Sequence, residues 1–99
     1  MTDKVIRDGL VAVIYSPGFG SGWSTWNSDH AEWCRHAPEL VAAVEAGDYK
    51  TIERLAEERD AWCSCLRDPL RIAWVPEGSP YYIHEYDGSE HVVTDFLIA

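Results

Sequence analysis

The chain has 99 residues, 46% of them hydrophobic, and sets 8 basic against 17 acidic residues for a formal charge of −9. Such a length and apolar content predict one folded domain, 1–99, and exclude a disordered chain. The charge disfavours direct binding to nucleic acid and favours basic partners, while no apolar run approaches the ~20 residues of a bilayer span.

Met1 to Lys4 carries no signal-peptide pattern, so the expected location is the cytoplasm. Val5 to Tyr15 reads as the first strand. Its run Val11-Ala12-Val13-Ile14 is continuously apolar, as in a central strand covered on both faces. A loop, Ser16 to Trp26, follows, with Gly18, Gly20 and Gly22 at alternate positions and Phe19, Trp23 and Trp26 between and after them.

Asn27, Ser28 and Asp29 are all N-cap types, and Asp29 to Glu32 has capping-box spacing, so a short helix is expected from Asp29 to His36. Pro38 suits the first turn of a second helix, which Gly47 would end. Asp48 can cap a third helix, Tyr49 to Arg59, with Tyr49, Ile52, Leu55 and Ala56 as its apolar stripe. Its other side carries Lys50, Glu53, Arg54, Glu57 and Glu58, a solvated face.

Ala61 to Leu66 is a weak strand pattern, broken at Arg67-Asp68-Pro69, and Leu70 to Val75 is a stronger one. Tyr81 to Tyr86 and Ser89 to Phe96 form a hairpin around Asp87-Gly88, expected in the same sheet as Val11 to Tyr15. A two-residue turn pairs Ile83 with Val92, His84 with His91 and Glu85 with Glu90. Placing Val92 beside Ile83 on a buried face gains ~1–2 kcal/mol, which outweighs the like-charge cost of Glu85 facing Glu90. The fold class is α+β: a two-layer domain, mainly antiparallel sheet, with two or three helices packed on one face.

The run Ser16-Pro17-Gly18-Phe19-Gly20-Ser21-Gly22-Trp23-Ser24-Thr25-Trp26 resembles the opening signature of a family of small bacteriophage and prophage proteins, S-P-G-[YF]-G-x-G-W-S-T-W after an N-terminal strand. The runs Trp74 to Gly78 and Glu85 to Glu90 are similar to that family too. The resemblance implies a viral context and carries no mechanism.

A strand, a glycine turn and a helix start can present backbone N–H groups to an anion. The candidate ligand-binding residues are therefore Ser16, Gly18, Phe19, Gly20, Ser21, Gly22, Trp23, Ser24, Thr25 and Trp26. No Walker lysine is present, and the glycine spacing is not the dinucleotide fingerprint. The competing reading is a compact structural turn sealed by Trp23 and Trp26. Phe19 and Trp23, flanked by glycine, are the expected exposed aromatics. Arg35, Arg67 or Arg71 would neutralise a phosphate.

The spacings Cys34-x-His36 and Cys63-x-Cys65 are poor for zinc, and an odd count of three cysteines predicts reduced, metal-free thiols. No residue set nominates a nucleophile with its base, so neither catalytic residue nor cofactor is expected. The leading expectation is a small non-catalytic phage-type protein that sequesters a small anionic, nucleotide-like ligand and so counters host defence. The alternative is an acidic inhibitor, of the nucleic-acid-mimic type, docking on a basic host protein. A viral housekeeping or structural factor is the third reading, and homo-oligomer formation stays open.

Overall fold

A computed structural model describes residues 3–63 and 69–94. They form an α+β fold of three helices and five strands in two antiparallel sheets. The first sheet has the order β1 (Ile6–Arg7), β2 (Leu10–Tyr15), β3 (Arg71–Pro76). Between β1 and β2, Asp8 and Gly9 both take positive φ, 51° and 76°. The expected single strand Val5 to Tyr15 is therefore a hairpin. Its Asp-Gly turn matches the right-handed twist of the flanking strands.

β2 is the central strand, paired along its whole length with β3 from Leu10 opposite Pro76 to Tyr15 opposite Arg71. Its run Val11 to Ile14 is buried throughout. Ala12 and Ile14 face the helices and pack with Leu40, Val41, Ala43, Ile52 and Ala56, while their neighbours on β3, Ile72 and Trp74, cover the same core. Val11 lies with Val75 and Tyr81 around a cleft on the opposite side.

α1 (Ala31–His36), α2 (Pro38–Ala46) and α3 (Tyr49–Glu58) make the helical layer. α2 starts on Pro38 and ends at Gly47, whose φ of 67° lets it close the last turn as expected. Asp48 caps α3 by accepting from Thr51 N at 3.3 Å and from the Thr51 hydroxyl at 2.6 Å. The expected capping box at Asp29 does not form. A 3-10 turn, Ser28–His30, leads into α1, whose N-cap is His30 without a side-chain bond. The better cap, Asn27, is engaged elsewhere.

β4 (Tyr82–Tyr86) and β5 (Ser89–Val93) form the expected hairpin in the expected register: Ile83 faces Val92, His84 faces His91 and Glu85 faces Glu90. Asp87 and Gly88 both have positive φ, 50° and 87°. The hairpin is a separate two-stranded sheet, however, and not part of the one containing β2. It docks on the glycine loop instead of adding to the ladder. Ala61 to Cys63 run without regular structure, and the rest of the expected strand to Leu66 lies outside the described residues.

Candidate functional site

The loop from Ser16 to Trp26 is built around one buried carboxylate. Glu90, on β5, is fully buried. Its Oε1 accepts from Ser16 N at 3.0 Å. Its Oε2 accepts from Trp23 N at 2.9 Å, from Thr25 N at 3.0 Å and from the Thr25 hydroxyl. A buried carboxylate is tolerated only when donors replace its water, and the loop supplies them. The donor cradle that the sequence assigns to an outside anion thus already holds an anion of the same chain.

Backbone bonds extend the lock. Gly20 N donates to Asp87 O at 2.6 Å and Glu90 N to Ser16 O at 2.7 Å, while the Ser89 hydroxyl donates to Pro17 O at 2.8 Å. Gly88 sits so near the loop that an added Cβ would meet Ser21 N at 2.6 Å. At Gly22 an added Cβ would collide with the Trp26 ring. These two glycines are required by close approach, one to backbone and one to indole.

The aromatics divide differently from the expectation. Trp23 is 1% exposed, packs against Trp33 with ring centres 6.3 Å apart, and donates its indole N–H to Cys34 O at 2.7 Å. Its backbone is drawn inward by Glu90, and the indole then finds both an apolar wall and an acceptor. Phe19 is exposed as expected, at 67%, edge-to-face with Tyr86 at 70%. Trp26 and Trp62, each 43% exposed, lie 5.1 Å apart. Asn27 fixes this second pair: its amide donates to Trp23 O and Trp62 O, both at 2.9 Å, and its Oδ1 accepts from Trp62 N at 2.7 Å.

Of the candidate cations, Arg71 lines a cleft of about 220 Å³ with Pro17, Gly18 and Pro69. Arg35 donates through Nε to the Ser24 hydroxyl at 3.1 Å. Arg67 lies outside the described residues. Ser16 Oγ is buried with no hydrogen-bond partner among the described residues. Ser21 Oγ donates to Phe19 O at 3.4 Å.

Cys34 is a buried free thiol, Cys63 is half-buried, and Cys65 lies outside the described residues. Burial, with a smaller push from the Glu90 charge, raises the Cys34 thiol to about 12. Among the described residues no three His, Cys, Asp or Glu side chains group as a metal site, and no helix is long and apolar enough to cross a membrane.

Glu90 is the residue that the sequence reading passes over. Its signal was present. The register that pairs half-buried Val92 with half-buried Ile83 puts Glu90 and Glu85 on that same face, because residues two apart point the same way. Glu85 escapes by accepting from Gly88 N at 2.7 Å. Glu90 stays inside and needs donors, which a nearby glycine loop offers. Compared with known proteins, the chain matches no family model, no curated protein and no solved structure.

Proposed function

We propose that this is a non-catalytic, phage-type protein that works in the host cytoplasm as an acidic inhibitor, docking on a basic host protein. The observation that carries this reading is the Glu90 cradle. Ser16 N, Trp23 N and Thr25 N all bond the internal carboxylate. An incoming anion would have to displace a fully buried carboxylate to reach them, so these three amides are closed to outside partners while the exposed Phe19 and Trp26 rings are not. The formal charge of −9 directs such a surface toward cations. A non-catalytic role agrees with the Ser24 hydroxyl accepting from Arg35, a cation that cannot act as its base.

A second reading keeps one specific support. Arg71 stands beside Gly18 in a small cleft, with exposed Phe19 next in the chain, so a small nucleotide-like anion has a charge and a stacking ring there without the amides. Native mass spectrometry of the protein recovered from host cells separates the two. The expected result is a basic protein retained at low ionic strength and released by salt. A small anion recovered in stoichiometric amount would establish the second reading and displace the first.

A further inference from the structure

Two exposed aromatic pairs flank one rigid turn. Phe19 meets Tyr86 edge-to-face, and Trp26 meets Trp62. Between them lie Asp87 and Gly88: Asp87 O is bonded by Gly20 N, and the Trp26 ring lies so near Gly88 that an added Cβ would meet it at 2.9 Å. Phe19, Tyr86, Gly88, Trp26 and Trp62 are thus successive neighbours on one rim, and Glu90 fixes the backbone beneath them.

Carboxylates stand beside this rim, and Arg71 lies at its far end in the cleft with Gly18. Asp87 on the turn and Glu85 near the end of β4 are both exposed. Elsewhere the molecule stacks its own arginines on indoles, Arg59 over Trp33 at 4.5 Å and Arg7 over Trp74 at 5.3 Å. Among the described residues no Arg or Lys lies over Phe19, Tyr86, Trp26 or Trp62. The rim therefore has aromatic faces and carboxylates, with no cation stacked on those faces among the described residues.

We infer that this rim is the docking surface and that its occupant is an arginine-rich segment of a partner protein. Guanidinium planes stack on the exposed rings while Asp87 and Glu85 receive the charge. Arginine is specified over lysine because its planar, weakly hydrated head stacks on aromatic faces, whereas an ammonium keeps its water. Each ring already rests against its neighbour, Phe19 on Tyr86 and Trp26 on Trp62, and aromatic side chains have few rotamers to lose on contact. This inference rests on the basic-partner reading and assigns it a face. The competing face is the acidic side of α3, with Glu53, Glu57 and Glu58.

The test is fluorescence anisotropy with labelled oligo-arginine and oligo-lysine peptides of equal length at low ionic strength. The wild type is expected to bind the arginine peptide more tightly than the lysine peptide. The double variant Phe19→Ala, Tyr86→Ala removes two exposed rings and leaves the net charge at −9. It should lose about tenfold in arginine-peptide affinity, the worth of one or two cation–π contacts, and with it the preference over lysine. Asp87→Asn keeps a residue that accepts positive φ and should weaken both peptides.

The triple change of Glu53, Glu57 and Glu58 to Lys should leave the arginine preference intact. Rim variants that bind like the wild type would overturn the inference, and loss on the α3 variant alone would move docking to that helix while sparing the basic-partner reading. A wild type that binds neither peptide would overturn that reading and the inference together. Sedimentation of the same proteins covers the remaining occupant: a dimer that dissociates in the Phe19, Tyr86 variant would show a second copy on the rim, which also overturns the inference.

Discussion

Truncating Trp23 to alanine should destabilise the protein by about 3–5 kcal/mol, the typical cost of deleting a buried large aromatic. The indole is enclosed beside Trp33, and its N–H is satisfied by Cys34 O, so the change leaves both a cavity and an unpaired carbonyl. Urea unfolding measures it, and a midpoint within error of the wild type would refute the burial. Phe19→Ala should by contrast leave the midpoint nearly unchanged. Local sequence does not separate these two residues, because both stand next to glycines. What separates them is long-range: an indole acceptor on α1 and a carboxylate on β5.

His36 supplies a pH dependence at the same scale. Its Nδ1 lies 3.1 Å from Ala12 O, which can only accept, so Nδ1 carries the proton and Nε2 accepts the Tyr81 hydroxyl at 2.7 Å. Burial lowers the His36 pKa below its ordinary value, against a smaller upward pull from the Ala12 bond. A folded-state pKa below the unfolded one means that the neutral form is favoured by folding. The contribution is complete above the unfolded pKa, about 6.5, and is lost as pH falls through the folded value. Melting curves between about pH 8 and about pH 5 should show the wild type losing more stability than His36→Gln. Parallel curves would remove His36 from the account.

At the scale of elements, the decisive contact is the one that docks a hairpin on a loop. A two-stranded hairpin is marginal in water by itself. β4 and β5 gain their place through Glu90, Ser89 and the Asp87 carbonyl. Glu90→Gln replaces one acceptor oxygen with an NH₂ group that faces backbone donors. The expected cost is about 2–4 kcal/mol, since hydrogen bonds to a charged group contribute ~1.5–3 each. Hydrogen exchange should accelerate selectively at the Ser16, Trp23 and Thr25 amides. Unchanged exchange there would refute the latch.

The elements themselves were largely legible. Asp87-Gly88, Pro38, Gly47 and Asp48 act within a few residues of their own positions, so short-range chemistry suffices to place them. Asp8-Gly9 carried the same turn signal as Asp87-Gly88, but the apolar run downstream masked it. That the hairpin stands apart from the β2 sheet was not legible, because its placement depends on a contact 74 residues apart, between Glu90 and Ser16.

For the whole molecule, the α+β class followed from element order and the position of β2 from its two-sided apolar run. The acidic balance has a consequence that the fold does not cancel. The described side-chain ion pairs are Arg7 with Glu45 and Arg54 with Glu58, all substantially exposed. Exposed pairs are screened by solvent and contribute little to stability. A net charge of −9 is then carried on a body 40 × 29 × 23 Å in extent. At about 0.01 M salt the screening length, about 30 Å, spans most of that body, so carboxylates repel one another across it. At about 0.15 M the length falls to about 8 Å and only near neighbours interact. Sodium chloride over this range should raise the melting temperature by a few degrees, because unfolding separates the like charges and screening removes that incentive. Chloride is the better choice for this measurement, since sulfate also strengthens apolar burial. A flat or falling melting temperature would mean that attraction across the surface outweighs repulsion. The same field attracts a basic partner, so over the same salt range the folded state should strengthen while partner binding weakens. Opposite slopes from one titration would tie both effects to the acidic surface, and parallel slopes would separate them.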